Sequence, residues 1–386
     1  MKQVFHYFAP CPRGLETVLA QELAELGAQG VSPTDGGVAF HGDWALMYRA
    51  NLHSRIASRI LWRLAERSYR TEDDIYKAAR ALEWPALFDV SRTIKVAVTG
   101  VGCKLRSLDF IALKVKDAVC DAFRAACGER PSVDTAMPDI RLHVFLTERQ
   151  QTLYIDTSGE ALFKRGYRRE TGDAPLRENL AAGILRLTGW QLDEPLLDPM
   201  CGSGTFLIEA AMMAKRIAPG RWRHFAFERF TQFDAALWAQ LKQAAIEAEL
   251  AVSPAAIYGS DDTPAVLDAA RANLAAAGVS DAVVLEEADA LERNAPADSG
   301  VLICNPPYGI RLEEQTWLDA LYPMLGHALK QRFAGWRAYY FTADLRLAKL
   351  IRLSASKRTV LFNGSLECRL FEYRMVAGSN RKSDAS

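Results

Sequence analysis

The sequence predicts an α/β fold whose carboxyl-terminal part is a doubly wound parallel sheet that ends in an antiparallel hairpin. Short apolar runs alternate with helical patterns from residue 158 to residue 376, as in successive strand–helix–strand units. Near the end, Asn363-Gly364 separates strand-like runs at residues 359–362 and 366–376, and this dipeptide is a strong hairpin signal. The preceding residues mix strands and helices without regular alternation, which predicts smaller α+β modules.

Length and composition are those of a globular protein with more than one domain. The 386 residues exceed a typical single core, and 49% hydrophobic with 24% charged residues excludes a disordered or coiled-coil chain. We expect modules at residues 1–65 and 66–157, a parallel-sheet domain at 158–378 and a disordered tail at 379–386. No apolar run resembles a signal peptide or a membrane span, so a cytoplasmic location is expected, and a monomer is favoured.

Both amino-terminal modules combine amphipathic helices with strands. In one basic helix, apolar residues recur at helical spacing from Ile111 to Phe123, which leaves Lys114 and Lys116 on the other face. Helices are predicted at residues 15–26, 44–66, 75–82 and 110–126, and strands at 93–99, 142–146 and 151–155.

The carboxyl-terminal domain contains the strands of the predicted parallel sheet. They lie at residues 196–197, 257–258, 283–285, 301–303 and 338–341, with a convincing helix between every neighbouring pair except the last. The first interval is longer than one helix requires, so residues 217–250, which are rich in Trp and Phe, are predicted to be an insertion. The insertion is expected either to lie over a pocket or to extend the fold.

Cysteine usage argues against metal and disulfide chemistry. The 7 cysteines include no Cys-x-x-Cys pair, so the sequence predicts no zinc site, no metal and no disulfide framework. Cys304 lies beside the candidate site described below, where a buried strand thiol is a more ordinary interpretation than a nucleophile.

The string Asp198-Pro-Met-Cys-Gly-Ser-Gly-Thr205 follows an apolar strand and opens a helix. Gly202 and Gly204 stand where the backbone must bend and approach a ligand. A third glycine is missing, which disfavours a dinucleotide-binding dehydrogenase, and no Gly-Lys-Ser/Thr follows, which excludes a phosphate loop. A short Gly-x-Gly turn is enough to admit the amino acid end of S-adenosylmethionine (SAM).

Aspartates follow successive predicted strands and are candidate SAM ligands. Asp198 can accept hydrogen bonds from the SAM ammonium, Asp261 from the ribose hydroxyls, and Asp289 from the adenine amine. Each alone is equally typical of a helix cap or a loop. The candidate cofactor-binding residues are Asp198, Pro199, Gly202, Gly204, Asp261, Asp262, Asp289 and Ala290.

The string Asn305-Pro306-Pro307-Tyr308 follows the strand at residues 301–303 and suits methyl transfer to an exocyclic amine. The lone pair of such an amine is delocalised into the base, so attack on a methyl group requires a more tetrahedral nitrogen. The Asn305 side-chain oxygen and the Pro306 carbonyl can accept the two amine hydrogens and favour that geometry. Two prolines stiffen the loop, and Tyr308 can stack on a base turned out of its helix.

Two basic groups are candidate RNA contacts. One consists of Lys104, Arg106, Lys114 and Lys116, and the other contains Lys164, Arg165 and Arg168. A solvated surface is the more ordinary interpretation of either group taken alone.

With these motifs, the chain resembles bacterial THUMP-domain RNA methyltransferases, and among them the guanine-N2 methyltransferases of 23S rRNA. The similar segments are residues 9–16, 48–55, 162–168 and 363–369 together with the two strings above. The resemblance implies a ferredoxin-like module and a THUMP domain that grips RNA, followed by a class I Rossmann-like SAM methyltransferase domain. It also implies that residues 171–179, including Pro175 and Leu176, lie against the cofactor.

The function expected from this resemblance is methyl transfer from SAM to the N2 amine of a guanine in 23S rRNA or a large-subunit assembly intermediate. Some relatives carry a second fused methyltransferase domain, and because none follows here, only the guanine-N2 activity is expected. A tRNA guanine or an adenine N6 amine remains open as the target. So does a non-enzymatic RNA-binding assembly factor, although such a factor has no need of the two strings.

Overall fold

The computed structural model describes residues 4–168, 176–307 and 312–376, without the side chains of residues 312–315. The chain divides into two compact units. The first contains residues 1–11, 19–164 and 219–245, and the second contains residues 12–18, 165–218 and 246–386. No helix among the described residues has the length and apolar character needed to cross a membrane.

The first unit is built on a seven-stranded mixed sheet with the order β2-β3-β1-β4-β7-β6-β5. β5 and β6 are parallel, whereas the other neighbouring strands are antiparallel. The elements are β1 (Phe5–Pro10), α1 (Glu16–Glu25), β2 (Gln29–Thr34), β3 (Gly37–Gly42), α2 (Trp44–His53), β4 (Leu61–Ser68), α3 (Glu72–Arg80), β5 (Ile94–Gly100), α4 (Leu108–Cys127), β6 (Ile140–Leu146) and β7 (Gln150–Asp156).

The helix predicted at residues 44–66 is wrong in its second half. α2 ends at His53, where the buried Glu22 carboxylate accepts hydrogen bonds from Ser54 Oγ at 2.6 Å and from the Arg55 amide at 2.9 Å. These bonds stabilise a turn, and the chain then forms β4, which pairs with both β1 and β7. One continuous sheet therefore runs through the first 65 residues and the segment that follows them.

The basic amphipathic helix is confirmed as α4. The Ser107 hydroxyl caps its start by accepting from the Phe110 amide at 3.2 Å, and Gly128 ends it with a φ of +80°. The predicted apolar stripe from Ile111 to Phe123 is buried. Sequence periodicity was sufficient here because a long helix with one buried face gives a strong signal.

The second unit contains a seven-stranded sheet with the order β10-β9-β8-β11-β12-β14-β13. Its first five strands in this order are parallel, and β14 and β13 complete it as an antiparallel pair. The elements after β7 are α5 (Glu178–Leu187), β8 (Leu196–Asp198), α6 (Thr205–Ala214), α7 (Ala235–Glu247), β9 (Ile257–Asp261), α8 (Pro264–Ala276), β10 (Val283–Glu287), β11 (Gly300–Cys304), α9 (Leu312–Arg332), β12 (Trp336–Thr342), α10 (Leu347–Leu350), β13 (Lys357–Asn363) and β14 (Leu366–Arg374).

The connections between the last parallel strands differ from the prediction. α9 joins β11 to β12, where no convincing helix was expected, whereas the described residues 288–299 join β10 to β11 without a helix. Pro323 inside α9 weakens its sequence signal, since proline usually interrupts a helix. Burial in the core stabilises it nevertheless, through Leu318, Leu321, Tyr322, Leu325 and Leu329.

The predicted terminal hairpin is confirmed. β13 and β14 pair antiparallel, and Asn363 lies opposite Leu366 across the turn. Gly364 has a φ of +66°, a conformation that favours glycine in tight hairpin turns.

Most of the predicted insertion belongs to the first unit, where it completes an aromatic cluster around Tyr48. The Tyr48 ring lies 4.6 Å from that of Phe227, 5.9 Å from Trp238 and 6.1 Å from Phe233. The Asp234 amide donates to the Tyr48 hydroxyl at 3.0 Å. Residues 219–245 therefore add to the core of the first unit and do not extend the parallel-sheet domain.

Candidate active site

The candidate site lies at the carboxyl ends of neighbouring parallel strands. Asp198 is the last residue of β8, Asp261 is the last residue of β9, and Asn305 follows directly after β11. Chain order reverses between β8 and β11, which pair directly through Leu197 and Leu302. Ligands of doubly wound sheets bind at such a switch point, outside the carboxyl ends of the strands.

The glycine turn between β8 and α6 is held against the end of β9. The Gly202 amide donates to Asp261 Oδ2 at 3.0 Å, and the Cys201 amide donates to the Ser260 carbonyl at 2.9 Å. Gly202 and Gly204 have φ values of +54° and +82°, so both positions favour glycine. A Cβ atom on Gly202 would meet nothing within 4 Å, which shows that this side of the turn is open.

Asn273 is a residue of the site that the sequence analysis missed. It projects from α8 and donates from Nδ2 to the Ser203 carbonyl at 3.1 Å, so it fixes the glycine turn from a second direction. Its side chain is buried, with 1% of the residue exposed. An amide on the otherwise apolar stripe formed with Leu267 and Ala270 was the signal available in the sequence.

Asp198 is a buried carboxyl with 2% of its surface exposed. Its Oδ1 accepts from the Met200 amide at 3.2 Å, and no described cationic side chain forms an ion pair with it. Burial, with a smaller contribution from the nearby Asp261 charge, raises the pKa of Asp198 to about 8. A buried carboxyl without a counterion among the described residues suits a cationic ligand, whose charge would favour the ionised carboxylate.

Asp261 has a structural role besides its predicted one. Its Oδ2 accepts from Gly202, and its Oδ1 accepts from the Thr263 amide at 3.2 Å. Burial raises the pKa of Asp261 as well. The neighbouring Asp262 is exposed, and its Oδ1 accepts from the Thr263 hydroxyl at 2.9 Å.

Asp289 lies two residues beyond β10, the strand next to β9. It is exposed, and its Oδ1 caps a turn by accepting from the Leu291 amide at 2.8 Å. The following Ala290 packs against the core of the second unit, and Pro199 lies in the glycine turn. The aspartates thus stand at successive strand ends, each with an oxygen bonded to a local turn, while their contacts with a cofactor stay predictions.

Asn305 carries an unsatisfied polar atom. Its Oδ1 is buried, and no hydrogen-bond donor among the described residues reaches it. Pro306 is buried and Pro307 exposed, whereas Tyr308 lies outside the described residues. A buried acceptor without a partner costs about 1–3 kcal/mol, so an amine donor from a ligand would relieve that cost.

Cys304 is fully buried in β11, and burial raises the pKa of its thiol well above the usual range. The thiolate needed for a nucleophile is therefore disfavoured, and the interpretation as a buried strand thiol is confirmed. The described residues contain no group of three or more His, Cys, Asp or Glu side chains that could hold a metal ion.

The segment before α5 contains buried ion pairs that the sequence did not reveal. Arg165 is buried against the equally buried Glu209 of α6, with Nε and Oε1 3.3 Å apart. A guanidinium enclosed in this way is unavailable to phosphate, so the structure contradicts the expectation that Arg165 binds RNA. Tyr167 joins the same carboxylate through its hydroxyl at 3.3 Å.

Arg168 is also turned inward rather than toward RNA. Its guanidinium donates to Glu178 at 3.1 Å, to the Leu176 carbonyl at 2.9 Å and to the Thr205 hydroxyl at 3.2 Å. It thereby links the first residue of α6, directly after the glycine turn, to the buried Leu176 predicted to lie against the cofactor. Pro175, the other predicted residue of that segment, lies outside the described residues.

The remaining predicted RNA contacts are exposed or half-buried, and most already have an acidic or aromatic neighbour. Lys104 pairs with Glu148 beside a cavity of about 900 Å³ that Arg70 and Arg149 also line. The Lys114 ammonium lies 5.9 Å from the Tyr76 ring centroid and 5.8 Å from that of Phe110. Lys116 pairs with Asp117 and Lys164 with Glu160, while Arg106 is exposed.

Family models match three successive parts of the chain. Residues 6–61 match an RlmL ferredoxin-like domain, residues 69–156 match a THUMP domain, and residues 165–372 match an RMKL-like methyltransferase domain. The third model alone spans more than half of the chain.

Individual relatives are similar over nearly the full length. A candidate RNA methyltransferase from Synechocystis is 40% identical over 96% of both chains. A crystal structure of a candidate methyltransferase, SMU.472, in complex with S-adenosylhomocysteine is 32% identical, with a TM-score of 0.89 over 98% of this chain and 100% of that one. A possible methylase from Clostridium difficile 630 is 30% identical, with a TM-score of 0.90 and the same coverage.

Proposed function

The chain belongs to the THUMP-domain RNA methyltransferase family, and from this premise we propose that it methylates the N2 amine of a guanine in 23S rRNA. SAM is its cofactor, which supplies an electrophilic methyl group on a sulfonium centre. The site fits this ligand for two reasons. The ammonium of SAM can pair with the buried carboxylate of Asp198, and the open side of Gly202 leaves room for the amino acid end of SAM.

The observation that carries the proposal is the buried Oδ1 of Asn305, which has no hydrogen-bond partner among the described residues and lies at the end of the strand beside that of Asp198. An exocyclic amine has two hydrogens and needs two acceptors to fix its plane. We assign one hydrogen to Asn305 Oδ1 and the other to the Pro306 carbonyl. Holding both hydrogens directs the nitrogen lone pair out of the base plane, toward the methyl group, and this arrangement stabilises the more tetrahedral nitrogen of the transition state.

On the donor side, Asp198 would bind the ammonium of the cofactor, and the remaining lone pairs of Asp261 with Asp262 would bind its ribose hydroxyls. The bonds from Gly202 and Asn273 hold the glycine turn in place before the ligand arrives. Preorganisation of this kind removes an ordering cost from binding. No strong general base is required, because the amine can release its proton to water after the transfer.

RNA recognition is assigned to the first unit. We propose that residues 1–65 and the THUMP segment at residues 66–157 grip the RNA and that the Asn305 loop receives a guanine turned out of its stack. The exposed Lys104 and Arg106 and the half-buried Lys114 can neutralise phosphates. Bases that lie in loops or bulges are the least costly to extrude, so an unpaired guanine is the preferred target.

The proposal is tested by nucleoside mass spectrometry. Ribosomal and transfer RNA from a strain that lacks the gene are incubated with SAM and the purified protein, with Asn305→Ala as the control. We expect N2-methylguanosine to appear in 23S rRNA with the wild-type protein, and far less with the variant. N2-methylguanosine in tRNA alone, or N6-methyladenosine, would show that the protein methylates an exocyclic amine of a different substrate. An absence of methylation in both RNA pools would contradict the proposal.

A further inference from the structure

One face of the sheet in the first unit is not part of the hydrophobic core. Along β6, Leu142 and Val144 are buried, whereas the alternating Arg141, His143 and Phe145 are half-buried or exposed. Side chains alternate between the two faces of a strand, so these three residues project from the side opposite the core. The same alternation in β1 leaves His6 exposed between the buried Phe5 and Tyr7.

Strand pairing gathers the outward side chains into rows. Residues directly opposite in neighbouring strands share a face, and Tyr154 lies opposite both His143 and Arg63. In the same way, Lys95 lies beside Arg141, and His6 lies opposite His41. We refer to this surface as the open face, and its members are Lys95, Arg141, His143, Phe145, Tyr154, Arg63, His6 and His41.

The open face carries the cationic side chains of Lys95, Arg141 and Arg63. The acidic side chains near it are engaged locally. Glu66 pairs with Arg63, Glu160 pairs with Lys164, and the buried Asp156 pairs with Arg59 and lies 3.9 Å from His143 Nε2. Asp134, near Lys95 and Arg141, accepts from the Ala136 and Met137 amides. Arg141 Nε is buried and has no hydrogen-bond partner among the described residues, and the Lys95 ammonium donates to the Thr135 carbonyl at 2.8 Å. Neither cation forms an ion pair among the described residues, so their charges can attract a polyanion.

Aromatic rings lie among these cations. Phe145 is 36% exposed, and the half-buried ring of Tyr154 lies 6.1 Å from that of Phe8. A phenyl ring that is exposed to water does not contribute the favourable free energy of apolar burial. Next to unpaired bases, the same ring provides a surface on which a base can stack. Flat arrays of aromatic and basic residues are the means by which other open sheets hold single-stranded RNA.

We infer that the open face binds an unpaired segment of RNA, with phosphates at Lys95 and Arg141 and a base stacked on Phe145. This inference rests on the proposed function, since it assigns the substrate RNA a contact surface within the first unit. The basic group of Lys104, Arg106, Lys114 and Lys116 is less suited to this role, because Lys104 and Lys116 are each paired with an acidic side chain. Charge complementarity therefore favours the sheet.

The electrostatic part of the inference is tested by a double charge reversal, Lys95→Glu with Arg141→Glu. The matched control is Lys77→Glu with Arg124→Glu, which makes the same change on exposed residues of α3 and α4. The probe is a labelled single-stranded RNA of about 16 nucleotides, with a duplex of the same sequence for comparison. We expect the open-face variant to bind the single strand at least about tenfold more weakly and to lower its salt slope by about 1.4, while the control changes little.

The stacking part is tested by Phe145→Ala, with Phe145→Tyr as the conservative variant. Loss of one stacked base predicts about a tenfold weaker affinity for the single strand, which the tyrosine restores. Melting temperature and SAM affinity are measured for each variant, and both should match the wild type.

Two contrary outcomes are distinguishable. If the wild-type protein binds RNA and the open-face variants bind it equally well, the open face is not the RNA surface; a face used for a protein partner would also give this result. If the wild-type protein binds neither RNA probe while it still binds SAM, the inference and the proposed RNA substrate fail together.

Discussion

The two units are each built on a seven-stranded sheet, but they expose different parts of it. In the parallel sheet of the second unit, β11 is buried at every position, so polar chemistry is confined to the loops at the ends of the strands. In the mixed sheet of the first unit, β6 alternates between buried residues and half-buried or exposed ones, so part of one face remains accessible. The parallel sheet of the second unit thus offers a compact site for a small methyl donor. The mixed sheet of the first unit offers a broader surface, which suits a polymer.

The largest effect should come from Asn305, at the edge of the parallel sheet. Asn305→Ala removes the acceptor that orients the amine, and we expect the methyl-transfer rate at saturating SAM to fall by about 100-fold or more. SAM affinity should change by less than about threefold, since the donor lies on the other strand. Single-turnover kinetics and calorimetry measure the two quantities.

Asn305→Asp serves as the control for this change, because it keeps an acceptor oxygen at the same place. It should retain more activity than the alanine variant. An equal loss of rate and of SAM affinity in Asn305→Ala would assign the residue to cofactor binding.

The next effect concerns Asp198. Loss of a charge-assisted hydrogen bond predicts that Asp198→Asn binds SAM about 10- to 100-fold more weakly at pH 9. Because the pKa of Asp198 in the ligand-free protein is about 8, wild-type affinity should increase as the pH rises toward that value and then level off. Titration calorimetry from pH 6.5 to pH 9 measures the curve, and the ratio of wild type to variant removes any titration of SAM itself.

The same pKa has a consequence for stability. The folded protein holds this proton more tightly than the unfolded chain, so ionisation of Asp198 destabilises the ligand-free fold as the pH rises from about 4 to about 8. Asp198→Asn should therefore melt at a higher temperature than the wild type at pH 9. A lower melting temperature, or a ratio of affinities independent of pH, would contradict the assignment of a buried carboxylate that awaits a cation.

A smaller effect is expected at Asn273, which holds the glycine turn through its bond to the Ser203 carbonyl. Asn273→Ala removes one buried hydrogen bond, worth about 1 kcal/mol, so SAM affinity should fall about fivefold. Arg271→Ala, at an exposed position of the same helix, is the control and should bind SAM as the wild type does. Unchanged SAM affinity in both variants would show that the turn keeps its shape without this bond.

The smallest effect should come from the helix layer of the first unit. Charge reversal at Lys114 and Lys116 is expected to weaken RNA binding by only about threefold and to flatten its salt dependence slightly. Lys116 already pairs with Asp117, and the Lys114 ammonium lies near the rings of Tyr76 and Phe110. A larger loss than in the Lys95/Arg141 double variant, measured with the same RNA, would reverse the ranking of the two faces.

The sequence predicted the second unit better than the first for a physical reason. Parallel strands read as short apolar runs, and the polar residues that follow them, such as Asp198, Asp261 and Asn305, reach one edge by topology alone. The helix expected at residues 44–66 failed because local periodicity does not reveal a turn held from a distance, as Glu22 holds the turn after α2. The position of the insertion could not be predicted for the same reason, since its aromatic residues pack on Tyr48, which is distant in sequence.

Charge was the least reliable guide to the site. Arg165 and Arg168 lie in a basic stretch of sequence, yet their guanidinium groups are bonded to Glu209 and Glu178 inside the second unit. Sequence spacing cannot show such a partner, because Glu209 is on a different element. The sequence did not predict the open face, because its cations and aromatic rings are scattered over several strands. They come together only through strand pairing.

The central claim is that Asp198 and Asn305, at the ends of neighbouring strands, bind the donor and the acceptor of one reaction. A crystal structure with S-adenosylhomocysteine tests it most directly. The account predicts the amino group of the ligand at the Asp198 carboxylate, with its sulfur no more than about 8 Å from Asn305 Oδ1, the span of a methyl transfer and one hydrogen bond. A ligand bound away from Asp198, or one whose sulfur faces away from Asn305, would contradict it.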